Sequence, residues 1–322
     1  MPCCDFAPGK IRTVRSQKGI SMELYLITGF LGAGKTTFLR EFSRLFPGKR
    51  LQLIINEFGK TGVDGTLLQD LHAEMSEITN GSIFCACRLD KFEEALHRCV
   101  ESRPDVILVE ASGLADPTNV QAVLEQPAFA PVRYCGSVCL VDTPRLASIL
   151  RTARVCPRQL KVSSLVLLNK TDLATDAQMD FAHTAIRAYN PEAVIRHTQF
   201  GRLEPAWMQE IHPLTGETAA VAPDIQLQKQ LVELDPQMTI AQLSGAVRMI
   251  AEDAWRIKGF ACLEGRHLLV DCVGPSVRIC TTALTAKEEN RLVLLAGPGM
   301  PLRHTLKQAI RWYPGLLREV WE

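Results

Sequence analysis

From Glu23 onward, short and wholly apolar runs alternate with stretches whose apolar residues recur at helical spacing. Runs at 24–28, 51–56, 106–110, 137–142 and 165–169 have strand length and are rich in leucine, isoleucine and valine. Between them, Phe38, Leu39, Phe42 and Leu45 predict a helix over 35–46, and Leu89, Phe92, Leu96 and Val100 predict another over 89–100. Strands that are apolar on both faces, separated by helices, predict an α/β fold with a mainly parallel sheet covered on both sides.

The rhythm stops near Ile211, where Pro213, Gly216 and Pro223 mark a linker over 213–226. Beyond it, Ile240, Leu243, Val247 and Ile250 predict a helix over 239–253. Strand-like runs follow at 255–263, 267–273, 276–281 and 291–296, and then a closing helix over 302–312. The expected organisation is one domain over 22–212 and a small C-terminal α+β domain, with an antiparallel sheet, over 227–322. Residues 1–21 carry no periodicity and read as a loose tail or a misassigned start.

Composition changes this picture little. At 322 residues the chain suits two domains, and 47% hydrophobic with 22% charged residues is an ordinary globular balance. A formal net charge of +1 gives no electrostatic reason to expect nucleic acid or an anionic membrane as partner. No apolar run has the length of a membrane span, and the N-terminal residues lack the apolar core of a secretory signal. The chain is therefore expected in the cytoplasm, where its eleven cysteines act as packing groups, reactive thiols or metal ligands rather than disulfides.

The candidate chemistry begins after the first strand. Gly29-Phe30-Leu31-Gly32-Ala33-Gly34-Lys35-Thr36 matches G-x-x-x-x-G-K-[ST] at every fixed position, the signature of a P-loop NTPase. Its backbone N–H groups are expected to cradle phosphate oxygens, with Lys35 on the β- and γ-phosphates and Thr36 on Mg²⁺. Thr37 adds a second hydroxyl at the helix start, where the dipole favours an anion. Asn169-Lys170-Thr171-Asp172 follows another apolar strand and has the N-K-x-D form. A carboxylate at Asp172 accepts from both N1–H and the exocyclic amine of guanine, a donor pair adenine lacks, so the expected ligand is GTP.

Val106-Ile107-Leu108-Val109-Glu110 is an apolar strand ending in a carboxylate and followed by Ala111-Ser112-Gly113. Glu110 is placed to hold the Mg²⁺ shell or orient the attacking water, and the Gly113 N–H to sense the γ-phosphate. Glu57 and Asp64 lie where a first switch belongs, with solvated loop charges as the other reading. No arginine stands out in sequence as a finger for the transferred phosphoryl group, so hydrolysis is expected to be slow.

Together these motifs, with Asn56-Glu57-Phe58-Gly59 and Glu110 through Pro117, resemble the CobW-type GTPases, relatives of HypB and UreG. Arg256-Ile257-Lys258-Gly259-Phe260 looks like the start of that family's C-terminal domain. The resemblance implies a GTP-hydrolysing metallochaperone that delivers a metal ion, Zn²⁺, Co²⁺ or another transition metal, to a client enzyme, with a homodimer as one assembly. The family's C-x-C-C motif after an Asn-Gly pair is altered here. After Asn80-Gly81 stand Ser82, Ile83, Phe84, Cys85, Ala86 and Cys87, leaving a C-x-C shifted in register.

Two thiolates cannot complete a tetrahedral shell, so His72, Glu77, a partner chain or the client has to supply the rest. Cys85 and Cys87 also fit as ordinary thiols in a sharp turn. The remaining cysteines and the scattered histidines read as structural. Two other functions stay open: a metal-independent GTPase switch with a thiol-sensing CxC, and a P-loop small-molecule kinase, which guanine selectivity and the lack of an arginine-rich lid disfavour.

Overall fold

A computed structural model describes residues 21–56, 74–78, 89–214, 228–282 and 290–320. Glu57, Asp64, the Asn80-Gly81 pair, Cys85, Cys87, nearly all of the N-terminal tail and most of the predicted linker lie outside the described residues.

The first sheet has seven strands: β1 Met22–Thr28, β2 Leu51–Asn56, β3 Glu74–Ile78, β4 Val106–Glu110, β5 Val132–Asp142, β6 Leu165–Asn169 and β7 Val194–His197. Their order is β3-β2-β4-β1-β5-β6-β7, and every pairing is parallel. All five residues of β4 and of β6 are buried, as expected for central strands covered on both faces. The chain passes from one half of the sheet to the other around β1, which lies between β4 and β5. In open α/β sheets the crevice beyond the strand ends at such a reversal is where ligands bind.

Helix α1, Lys35–Ser43, buries Phe38, Leu39 and Phe42 against the sheet. It ends three residues before the predicted Phe46 because Pro47 disfavours helical backbone in the residue before it. Leu45 and Phe46 instead make i→i+3 turns onto Phe42 and Ser43, and the Phe46 ring still packs edge-on against Phe42 at 5.3 Å. Phe38 stacks on Phe42 at 5.1 Å and is fully buried, so truncating it to alanine would cost about 3–5 kcal/mol. Helix α2 spans Leu89–Ser102.

Strand β5 starts five residues earlier than its apolar run suggests. Its pairing with β1 shifts between Leu24 and Tyr25, where Cys135 is the extra residue of a bulge, and a bulge breaks the alternation that marks a strand. Helix α3, Asp176–Tyr189, opens with a capping box in which Thr175 accepts from the Gln178 N–H and Gln178 accepts from the Thr175 N–H.

The second sheet comprises β8 Gln228–Leu234, β9 Arg256–Leu263, β10 Arg266–Val273, β11 Ser276–Thr281, β12 Arg291–Ala296 and β13 Leu317–Val320. Its order is β11-β10-β9-β12-β8-β13, antiparallel throughout. One face packs on helices α4, Ile240–Ala251, and α5, Leu302–Trp312, through a core that includes Val232, Leu243, Val247, Ile257, Val270 and Leu306. Alternation sends the neighbouring side chains to the other face. There Leu231, Val293 and Leu295, joined by Trp255, pack into the same apolar cluster as Phe30 and Leu31 of the P-loop and Val141 of β5. Among the described residues, no helix is long and apolar enough to cross a membrane.

Candidate functional site

The carboxyl ends of β1, β4, β5 and β6 bring the predicted motifs to one edge of the first sheet. Parallel register sets Ile27 beside Glu110, Thr28 beside Cys139, and Asp142 beside Asn169. Residues scattered over more than a hundred positions of sequence therefore share one crevice of about 340 Å³, a volume suited to a small ligand. Gly32, Gly34, Lys35, Thr36, Thr37, Glu110 and Gly113 all line it.

Gly34 is the N-cap of α1 at φ 98°, and a Cβ there would lie 2.6 Å from Asn169 Nδ2. Both the backbone and the space demand glycine. Lys35 is buried, with its ammonium donating to the Phe30 carbonyl at 3.3 Å. Thr36 Oγ1 donates to Glu110 Oε1 at 3.3 Å, and Glu110 is only 5% exposed. A hydroxyl and a carboxylate held this closely are an all-oxygen donor pair suited to Mg²⁺, which prefers hard ligands. The donor set fits the ion.

The loop after β4 is anchored by Asp116, within the Glu110–Pro117 motif, and by Gln159, outside every motif. The fully buried Gln159 amide donates to the carbonyls of Gly113 and Ala115, at 3.1 Å each. Asp116 accepts from the Thr118 N–H at 3.2 Å and pairs with Arg158. Gln159 had no sequence signal, since a lone glutamine in a short helix belongs to no motif.

At the end of β6, Asn169 is buried and its amide is committed twice. Nδ2 donates to the Ala33 carbonyl at 2.8 Å, and Oδ1 accepts from the Gly201 N–H at 3.1 Å. Lys170 adopts φ 61° and its ammonium pairs with the buried Asp142 carboxylate at 2.6 Å. Asp172 is exposed on the following turn, and the large apolar side chains Leu173 and Phe200 are exposed near the same loop, at 68% and 66%. Gly29 and Ala33 complete the P-loop backbone at the end of β1.

Three of the described cysteines, Cys139, Cys156 and Cys272, are buried and not poised as ligands. Burial pushes the Cys139 thiol well above its ordinary range, Cys156 to about 12 and Cys272 to about 11. Metals bind thiolates, so these groups serve packing. Among the described residues no group of three or more His, Cys, Asp or Glu could hold a metal ion. The histidines are less scattered than the sequence suggests, because β7 and α3 bring His183 and His197 together with Nε2 atoms 2.7 Å apart.

Residues 23–196 match the family model described as CobW/HypB/UreG, nucleotide-binding domain. The chain is 32% identical over 318 residues to a zinc chaperone CobW of a Sinorhizobium species, covering 82% of this chain and 88% of that one. It is 27% identical over 262 residues to the zinc chaperone YjiA of Escherichia coli K12, covering 74% and 81% of the two chains. A crystal structure of Zn(II)-bound YjiA GTPase from E. coli aligns over 91% of this chain and 98% of that one, with 19% identity and a TM-score of 0.44. With more than half its length matched by the family model, this chain belongs to the CobW/HypB/UreG family of P-loop proteins.

Proposed function

We propose that the chain binds and hydrolyses GTP, and uses that cycle to control delivery of a metal ion to a client metalloprotein in the cytoplasm. The observation that carries this reading is the crevice at the strand ends, where the Lys35 ammonium and the Thr36–Glu110 oxygen pair meet beside the Asn169-anchored P-loop.

Lys35 offsets the charge of the β- and γ-phosphates, and the backbone from Gly29 through Thr37 supplies N–H donors to them. Thr36 and Glu110 would hold Mg²⁺, which when bound would offset negative charge on the phosphates. The Gly113 N–H, on a loop whose Gly113 and Ala115 carbonyls Gln159 holds, is assigned to the γ-phosphate and makes the loop after β4 responsive to its loss. Asn169 positions the P-loop against the base site, Asp172 accepts from the guanine edge, and Lys170, Leu173 and Phe200 offer apolar surface to its plane. Hydrolysis adds water across the terminal phosphoanhydride and yields GDP and phosphate. Glu57 and Asp64 act in the first switch, with Asp64 a candidate for the attacking water.

The cargo site is Cys85 with Cys87, completed by His72, Glu77, a second copy or the client. Zinc is the favoured cargo, because the two relatives described above carry the name zinc chaperone. The division of labour is a GTPase domain over 22–212 and a C-terminal domain over 227–322. A GTP-hydrolysis assay with and without Zn²⁺, Co²⁺, Ni²⁺ or Fe²⁺ tests the reading. Metal-dependent turnover of GTP but not ATP supports it. Turnover indifferent to all four ions removes the metal from it, and phosphate transfer to a small acceptor replaces it with a kinase.

A further inference from the structure

The Arg256-Ile257-Lys258-Gly259-Phe260 segment has no role in the function described above. It lies on β9, where alternation settles which way each residue faces. Ile257 joins the core with α4 and α5, whereas Arg256 and Lys258 line the phosphate crevice. The parity holds on the next two strands. Val270 and Cys272 pack in the helix-side core with Val277 and Ile279 against it, while Asp271, Val273 and Arg278 line the crevice.

The second sheet rests on the P-loop itself. A Cβ on Gly32, at φ 76°, would lie 2.4 Å from a methyl of Val273. The Phe30 ring meets Trp255 edge-on at 5.3 Å. These contacts make β9–β11 a wall of the crevice that begins at Gly32 and Lys35.

Arg145, just past β5, reaches the same wall. A Cβ on Gly274, in the turn between β10 and β11, would lie 2.6 Å from its Nη2. Its Nη1 is buried and has no hydrogen-bond partner among the described residues. Burial lowers the affinity of this guanidinium for its proton, and the Asp142 carboxylate partly restores it. A half-buried guanidinium whose buried Nη1 donor is unmet is costly, and an anion in the crevice would satisfy it. The lining carries six basic side chains against three carboxylates, a balance that favours a polyanion.

We propose that the nucleotide's phosphate site is shared between the two sheets. Arg145 from the first and Arg278 with Lys258 from the second bind phosphate oxygens opposite the P-loop. Bound nucleotide then fastens the C-terminal sheet onto Gly32 and Phe30, and the chain carries its own arginines for the polyphosphate. The proposal rests on the crevice being a GTP site.

The test uses full-length protein, fluorescent GTP and GDP analogues, GMP as competitor, and the variants Arg278→Ala, Arg278→Lys and Arg145→Ala. Each alanine variant is expected to lose about ten- to a hundredfold in GTP affinity, the value of one charged hydrogen bond, with a smaller loss for GMP. Arg278→Lys should recover part of the loss. Arg278 is exposed, so its variants should melt at the wild-type temperature without nucleotide. Arg145→Ala should melt no lower, because it removes an unmet buried donor, whereas a merely structural Arg145 would show a lower melting temperature and unchanged affinity. Hydrogen exchange in β9–β11 should slow when GTP is added to wild type. Wild-type affinity in both alanine variants, or exchange unaffected by GTP, overturns the shared site and leaves the GTP reading intact. A wild type that binds neither GTP nor GDP overturns both.

Discussion

The Asn169 amide donates to the Ala33 carbonyl at 2.8 Å and thereby ties the end of β6 to the P-loop after β1, across the intervening strand β5. Its Oδ1 holds Gly201 at the same time. One side chain thus ties the P-loop to the end of β6 and to the loop at Gly201. Asn169→Ala would leave a buried carbonyl and a buried N–H unmet, at about 1–3 kcal/mol for each. The expected result is a lower melting temperature without nucleotide and weaker binding of GTP and GDP alike, read by thermal unfolding and nucleotide titration.

Asp172 separates from Asn169 in that respect. It is exposed, so Asp172→Asn should leave stability within about 0.5 kcal/mol of wild type while eroding the preference for GTP over ATP. Competition binding with the two nucleotides reads this directly, and equal wild-type affinities for them would remove the guanine assignment.

Lys35→Ala and Glu110→Ala should fail differently. On the proposed GTP reading, the first removes the P-loop ammonium that offsets phosphate charge and should abolish hydrolysis with weakened binding. The second removes half of the Thr36–Glu110 pair and should keep much of the nucleotide affinity while losing Mg²⁺-dependent turnover. Wild-type turnover in the Glu110 variant would withdraw its role.

Gln159→Glu keeps the size of the side chain but replaces the amide that donates to Gly113 and Ala115 with a carboxylate that only accepts. On the proposed role of Gly113 at the γ-phosphate, the variant's expected signature is slower GTP hydrolysis with GDP affinity largely kept. Steady-state kinetics set against GDP titration make the comparison.

His197 is shifted below its ordinary value of 6.5, first by burial and then by repulsion from His183. The unfolded chain therefore binds a proton that the folded chain resists, so stability is kept above about pH 6.5 and eroded as pH falls below it. Histidine NMR titration should find the His197 midpoint below 6.5 and raise it in His183→Ala.

What could be read in the sequence was local. The P-loop, the Glu110 strand and Asn169–Asp172 are contiguous motifs, and parallel strands carry their ends to one edge without further instruction. The antiparallel sheet was legible in β9 through β12, but β8 was missed because Lys229, Gln230 and Glu233 dilute its short alternation. Gln159 holding Gly113, Gly274 facing Arg145 and Val273 on Gly32 are contacts between residues 46 to 241 positions apart. Nothing local to any of those residues announces its partner.

Coupling between nucleotide and metal distinguishes a delivery protein from a plain GTPase. The direct measurement is Zn²⁺ titration of the protein loaded with GDP and with a non-hydrolysable GTP analogue, repeated in Cys85→Ser and Cys87→Ser. Control of delivery by nucleotide predicts zinc affinities that differ about five- to 150-fold between the two states, with the reciprocal effect on nucleotide affinity that linkage requires. Thiolate ligands further predict affinity that falls as pH drops, because protons compete for the sulfurs. Equal zinc affinity in both nucleotide states, or serine variants that bind as tightly as wild type, would contradict it.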